Sequence, residues 1–144
     1  MAASPLHPVV AIRIFAMDSA GRILLLRRAS TEYGDGEWCL PGGKLEYGDT
    51  PEGTVEKELA EETGLAAKHV SFLFYQNSPP AGPGQMHCLN LYFRCSAFGS
   101  VTLDDESSGF AWLYPREAFA RQPVFGAADA LERLLSGATS PGNP

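Results

Sequence analysis

Basic residues are scarce in this chain: 11 Lys and Arg stand against 17 Asp and Glu in 144 residues, a formal net charge of -6. Broad binding to nucleic acid or to anionic membrane rests on Lys and Arg neutralising phosphates, so that class of partner is excluded. A phosphate-bearing ligand would need local cations. Cysteine is equally sparse. Cys39, Cys88 and Cys95 form no CxxC pair, and their odd number cannot close into a full disulfide set, so reduced, partly buried thiols are expected. His7, His69 and His87 lack HExxH or comparable ligand spacing. No apolar run reaches the length of a membrane span, and MAASPLHP has neither the charged start nor the apolar core of a signal peptide. A cytoplasmic protein with no membrane partner is the expectation. No internal repeat is present.

What remains is the composition of a globular protein, 44% hydrophobic and 19% charged, at a length that suits one domain. We expect that domain over residues 1–136, with the small polar segment 137–144 as a mobile tail. Val9 to Met17 and Arg22 to Arg28 are apolar runs separated by Asp18-Ser-Ala-Gly21, the pattern of a hairpin. Residues 29–37 read as a loop. Trp38-Cys-Leu-Pro-Gly-Gly43 ends in a turn where backbone can come close to a ligand. Thr50 followed by Pro51 is a helix start, and Gly64 is the matching stop. Strands are predicted over 70–76, 86–95 and 111–114, and helices from Pro115 and over 127–135. Strands and helices thus mix within one α/β (α+β) domain.

The segment EKELAEETG, Glu56 to Gly64, holds four glutamates. At about 100° per residue, Glu58, Glu61 and Glu62 share one helix face, and Glu56 lies about 200° from Glu58, toward solvent. Like charges at this spacing oppose the helix by a few tenths of a kcal/mol per pair, and the dipole disfavours anions in the C-terminal half. A hard divalent cation reverses the sign of that repulsion. The bland alternative is a solvated acidic face. The nearby Pro41-Gly42-Gly43 turn favours the metal reading.

The run Gly43-Lys-Leu-Glu-Tyr-Gly-Asp49-Thr-Pro-Glu-Gly-Thr-Val-Glu-Lys57-Glu58-Leu-Ala-Glu61-Glu62-Thr-Gly64-Leu65 resembles the Nudix box, GX5EX7REUXEEXGU with U apolar. Asp49 stands where the family has Glu, and Lys57 where it has Arg. The apolar hairpin before the box and Trp112-Leu-Tyr-Pro-Arg-Glu117 after it extend the resemblance over most of the chain.

The resemblance implies a Nudix-like α/β/α sandwich with a mixed central β-sheet. It also implies hydrolysis of a nucleoside diphosphate linked to another moiety, with Mg²⁺ or Mn²⁺ as cofactor. By position, Glu58, Glu61 and Glu62 would be metal ligands with the Gly42 carbonyl, and Lys57 would orient Glu58. A further carboxylate from a later loop would come from Asp104, Asp105 or Glu106, with Glu106 the first choice as base. Gly43, Glu46 and Arg28 are substrate-facing candidates; Arg27 and Arg28, at the end of the second strand, are candidates for the local cations, one of the two being only a solvated strand end. Trp38, Tyr33 and Phe74 are candidates for stacking on a base, with core packing as the alternative. Pro79 and Pro80, about fifteen residues past the box, lean toward ADP-ribose or a nucleotide sugar. A (deoxy)nucleoside triphosphate substrate, a non-catalytic nucleotide sensor and a merely acidic structural helix stay open. The partner implied is a small nucleotide, with a homodimer left open.

Overall fold

In the computed structural model, which describes residues 7–29 and 36–137, the two apolar runs become β1 (Val9–Met17) and β2 (Ile23–Arg28). The expectations for Tyr33 and for the tail beyond Gly137 lie outside the described residues. Asp18 closes the turn: its carboxylate accepts the Ala20 and Arg22 N–H groups at 3.0 and 2.9 Å and pairs with the Arg22 guanidinium at 2.7 Å. Met17 pairs with Ile23, and beyond that point the strands part.

The segment after the loop enters the gap as a wedge. Its first half, β3 (Trp38–Cys39), pairs with β2, and its second half, β4 (Gly42–Lys44), pairs with β1. Pro41 sits between them, and its carbonyl accepts the Ile14 N–H at 3.0 Å. The expected glycine turn is therefore strand on both sides of Pro41, and its glycines lie at the centre of the sheet.

Helix α1 (Pro51–Thr63) has the ends that the sequence calls for. The Thr50 hydroxyl accepts the Gly53 N–H at 3.0 Å, and Gly64 closes the helix at φ 72° with its N–H on the Ala60 carbonyl. There follow β5 (Ala66–Ser78), β6 (Cys88–Phe98), β7 (Ser107–Leu113), α2 (Pro115–Ala120) and α3 (Ala127–Ser136). The last three strands are longer than predicted or shifted. In β5 the reason is local: the register against β6 slips between Lys68 and Ser71 and again between Phe72 and Phe74, near His69 at φ 55°. Each slip breaks the period-two alternation by which a strand is read.

Among the described residues the strands form one mixed sheet in the order β3-β2-β1-β6-β5, with β4 on β1 and β7 on β2. β1 and β6 run parallel; the other pairs are antiparallel. Alternation along β1 and β2 divides the core. Ile12, Ile14, Leu24 and Leu26 face α1 through Val55 and Leu59, whereas Phe15, Ile23 and Leu25 face α2 and α3 through Ala118, Ala130 and Leu131. The result is the α/β/α sandwich with a mixed central sheet. Phe74 belongs to the second core, with 1% of its surface exposed and the Arg133 guanidinium 4.0 Å from its ring centroid. That corrects its place among the base-stacking candidates: its face is already taken.

Candidate active site

Val55 and Leu59 anchor α1 on the sheet, and this fixes which carboxylates turn inward. Glu58 and Glu62 come against β4. A Cβ built at Gly43 would overlap the Glu58 carboxylate, and one built at Gly42 would overlap the Ile12 carbonyl. Both glycines therefore serve close approach. Gly43→Ala is expected to displace Glu58 and abolish most turnover while the α1 helix signal in circular dichroism persists; full turnover would show that the contact is dispensable.

The Gly42 N–H donates to Glu62 Oε1 at 3.3 Å, and the Glu58 and Glu62 carboxyls share a hydrogen bond. Burial is the main force raising both above the ordinary carboxylate value, and it takes Glu62 to about 9. The Gly42 N–H opposes the rise at Glu62, while Glu58 and Glu106 add to it. Both carboxyls are raised above their ordinary value, so the pair holds one proton between them in the shared bond.

Glu62 opens on a cavity of about 80 Å³ whose walls include Arg13, Arg28, Gly42, Glu106 and Phe125. Glu106 reaches it because its N–H is held by Asp104 Oδ1 at 3.1 Å and its carbonyl accepts the Ala29 N–H at 2.9 Å. Of the three acidic candidates in that loop, Glu106 is the one that lines the cavity. Arg13 projects from the middle of β1, where its Nε donates to Asn90 Oδ1 at 3.3 Å. Asn90, 1% exposed, in turn donates to Gln76 and Ser78. Phe125, in a left-handed conformation at φ 62°, lies under both guanidiniums, 4.9 Å from Arg28 and 5.8 Å from Arg13. Arg28 also bonds the Cys39 thiol, whose pKa burial pushes up.

The remaining candidates are elsewhere. Glu61 is exposed on the helix flank and is absent from the cavity wall. Glu46 is exposed, its carbonyl accepting the Asp49 N–H at 3.0 Å. Trp38 packs on the α2–α3 core with Arg121 4.8 Å over its ring. Arg27 is exposed and donates to the Gly36 carbonyl at 3.1 Å. Lys57 departs from its expected role: its Nζ lies 3.2 Å from Asp49 Oδ2 rather than on Glu58. Adjacent helix residues do not face each other, so Lys57 turns out to the loop while Glu58 turns in. The two unusual positions of the motif pair with one another.

Sequence reading passed over Arg13, Asn90 and Phe125. Arg13 and Asn90 carried a signal, each being one polar side chain inside an apolar strand, VVAIRIFAM and CLNLYF. Phe125 carried none.

Among the described residues no group of three or more His, Cys, Asp or Glu side chains converges closely enough to bind a metal ion. The donor set nevertheless fits a hard cation. Glu58, Glu61, Glu62 and the Gly42 carbonyl offer only oxygen, and burial beside Glu58 raises Glu62 to about 9.

The site is thus an acidic helix laid on a glycine strand inside an α/β/α sandwich. A NUDIX domain model matches residues 7–134, and the chain belongs to that family of hydrolases acting on pyrophosphate bonds. It is 34% identical over 131 residues to a MutT-like protein of Streptomyces ambofaciens, covering 90% of this chain and 79% of that one. An ADP-ribose pyrophosphatase of Methanocaldococcus jannaschii is 36% identical over 94 residues, 65% of this chain and 54% of its own length. The crystal structure of a MutT NUDIX hydrolase from Burkholderia pseudomallei superposes with a TM-score of 0.71 at 28% identity, covering 88% of this chain and 97% of that one.

Proposed function

We propose that the protein hydrolyses a nucleoside diphosphate linked to a second moiety, cutting at the pyrophosphate with Mg²⁺ or Mn²⁺, and that ADP-ribose or a nucleotide sugar is the substrate type. The buried Glu58–Glu62 pair carries this reading, because two carboxylates forced together and holding one proton form a site that a cation completes. Glu58, Glu61 and Glu62, with the Gly42 carbonyl, would hold the metal, which when bound polarises phosphate oxygens and acidifies water. Arg13 and Arg28 supply the local positive charge that an overall acidic protein lacks, and bind phosphate oxygens. Glu106 Oε accepts the proton of the attacking water. The likeness to an ADP-ribose pyrophosphatase and the position of Pro80 support the substrate type.

A nucleoside triphosphate is the second reading, favoured by the likeness to a MutT-like protein over most of the chain. One screen separates them. With Mg²⁺ or Mn²⁺, ADP-ribose and water should give AMP and ribose 5-phosphate, whereas a triphosphate would give a monophosphate and pyrophosphate. Turnover of triphosphates alone would overturn the first reading. Tight binding without turnover of either would make the protein a sensor.

A further inference from the structure

The cavity against the carboxylates, about 80 Å³, is too small for a nucleoside, since ligand sites run to about 300–1,000 Å³. A second cavity of about 700 Å³ lies at the other end of β4, between the start of β1 and the loop that joins β5 to β6. It begins at Lys44, the residue after Gly43, whose backbone touches Glu58. Val9, on its wall, stands four residues along β1 from Arg13, about 13 Å at the usual strand rise. Strands β1 and β4 therefore each contribute to the walls of both cavities, Val9 and Lys44 to this one and Arg13 and Gly42 to the other.

We infer that this groove is the subsite for the sugar-phosphate half of a diphosphate-linked substrate, an assignment that rests on the reading above. The lining decides which half enters. Among the described residues the wall holds no Phe, Tyr or Trp, and a base is best held on such a π-face. The groove instead presents hydrogen-bonding groups at His7, Gln85 and His87 and one cation at Lys44, over an apolar floor of Val9 and Met86. His87 is pre-oriented: Asn77 Oδ1 can only accept, so the ring Nε2–H donates to it at 2.6 Å and Nδ1 is left to accept from a sugar hydroxyl. The frame is also fixed, for the Val9 N–H donates to the His87 carbonyl at 2.8 Å. A triphosphate, having no second sugar, would leave this groove empty.

The test uses ribose 5-phosphate and AMP as separate probes, followed by the ¹³C-methyl signal of Met86. Ribose 5-phosphate should shift that signal saturably, and AMP should not. Met86→Trp fills the groove from an exposed position, so the fold tolerates it. It should weaken ribose 5-phosphate binding and raise the KM for ADP-ribose, each by roughly tenfold or more, with a much smaller change in kcat. A Met86 signal indifferent to ribose 5-phosphate, or moved by AMP instead, would overturn the assignment. Ribose 5-phosphate binding at Met86 in a protein that turns over only triphosphates would uphold the groove and sink the proposed substrate. ADP-ribose turnover with an indifferent Met86 would do the reverse.

Discussion

Glu62→Gln should lower kcat by roughly two to four orders of magnitude and leave the fold intact. The amide is nearly the same shape. Its oxygen can still accept the Gly42 N–H, and its NH₂ can still donate to Glu58, so the hydrogen bonds of the protonated acid are reproduced. What the amide cannot do is give up a proton and become an anion. Steady-state rates with saturating Mg²⁺, beside a thermal melt, separate the two effects. Glu61→Gln is the companion variant, testing whether the exposed carboxylate joins the metal when it is present. Turnover unchanged in both variants would remove the metal site from the proposal.

The second large effect is on stability, and its sign follows from the same proton. Glu62 titrates near its ordinary 4.5 in the unfolded chain and at about 9 in the folded one. Between those values the folded state holds a proton that the unfolded state has released, so without metal stability falls as pH rises through that window. The slope is at most about 1.4 kcal/mol per pH unit for one proton. A divalent cation binds the deprotonated pair, so its stabilising effect should grow over the same range. Denaturant melts at pH 6 and 8.5, with Mg²⁺ and with EDTA, should therefore show a metal-induced gain that is larger at pH 8.5. Glu62→Gln should lose most of that pH dependence. A metal effect that is equal at both pH values would separate the metal from Glu62.

How much of this was legible depended on how far apart in the chain the partners lie. Helix α1 was readable to the residue, because Thr50, Pro51 and Gly64 act on their own immediate neighbours. The strand read over 86–95 is also present, with Tyr92 in one core and Phe93 and Cys95 in the other. The extent of β1 was readable, Val9 to Met17, but that of β5 was not, since its slips are set by pairing with β6 and leave no local mark. Lys57 shows the limit of a motif: its position was visible, but its partner depended on which way the loop brought Asp49. Arg13 is marked as a polar side chain in an apolar strand, but its partner Asn90 becomes visible only when β6 pairs with β1. Phe125 joined the site only when α3 had folded back over the sheet, a placement secured by the Gln76 side chain on the Gly126 carbonyl at 3.0 Å.

The parallel union of β1 with β6 pairs Val9 with Cys88, 88 − 9 = 79 positions later. The β4 and α1 residues of the candidate site all lie within that one chain loop. Closing a loop of this size is slow, although its entropic cost grows only as the logarithm of length, about 0.6 kcal/mol per doubling. The inner pieces, the capped helix and the β1–β4 ladder, can form first, with their carboxylates still in water. Phe93 and Cys95 of β6 share a core with Val55 and Leu59 of the helix. The burial of the helix's inner face is thus tied to the closure of that one long loop.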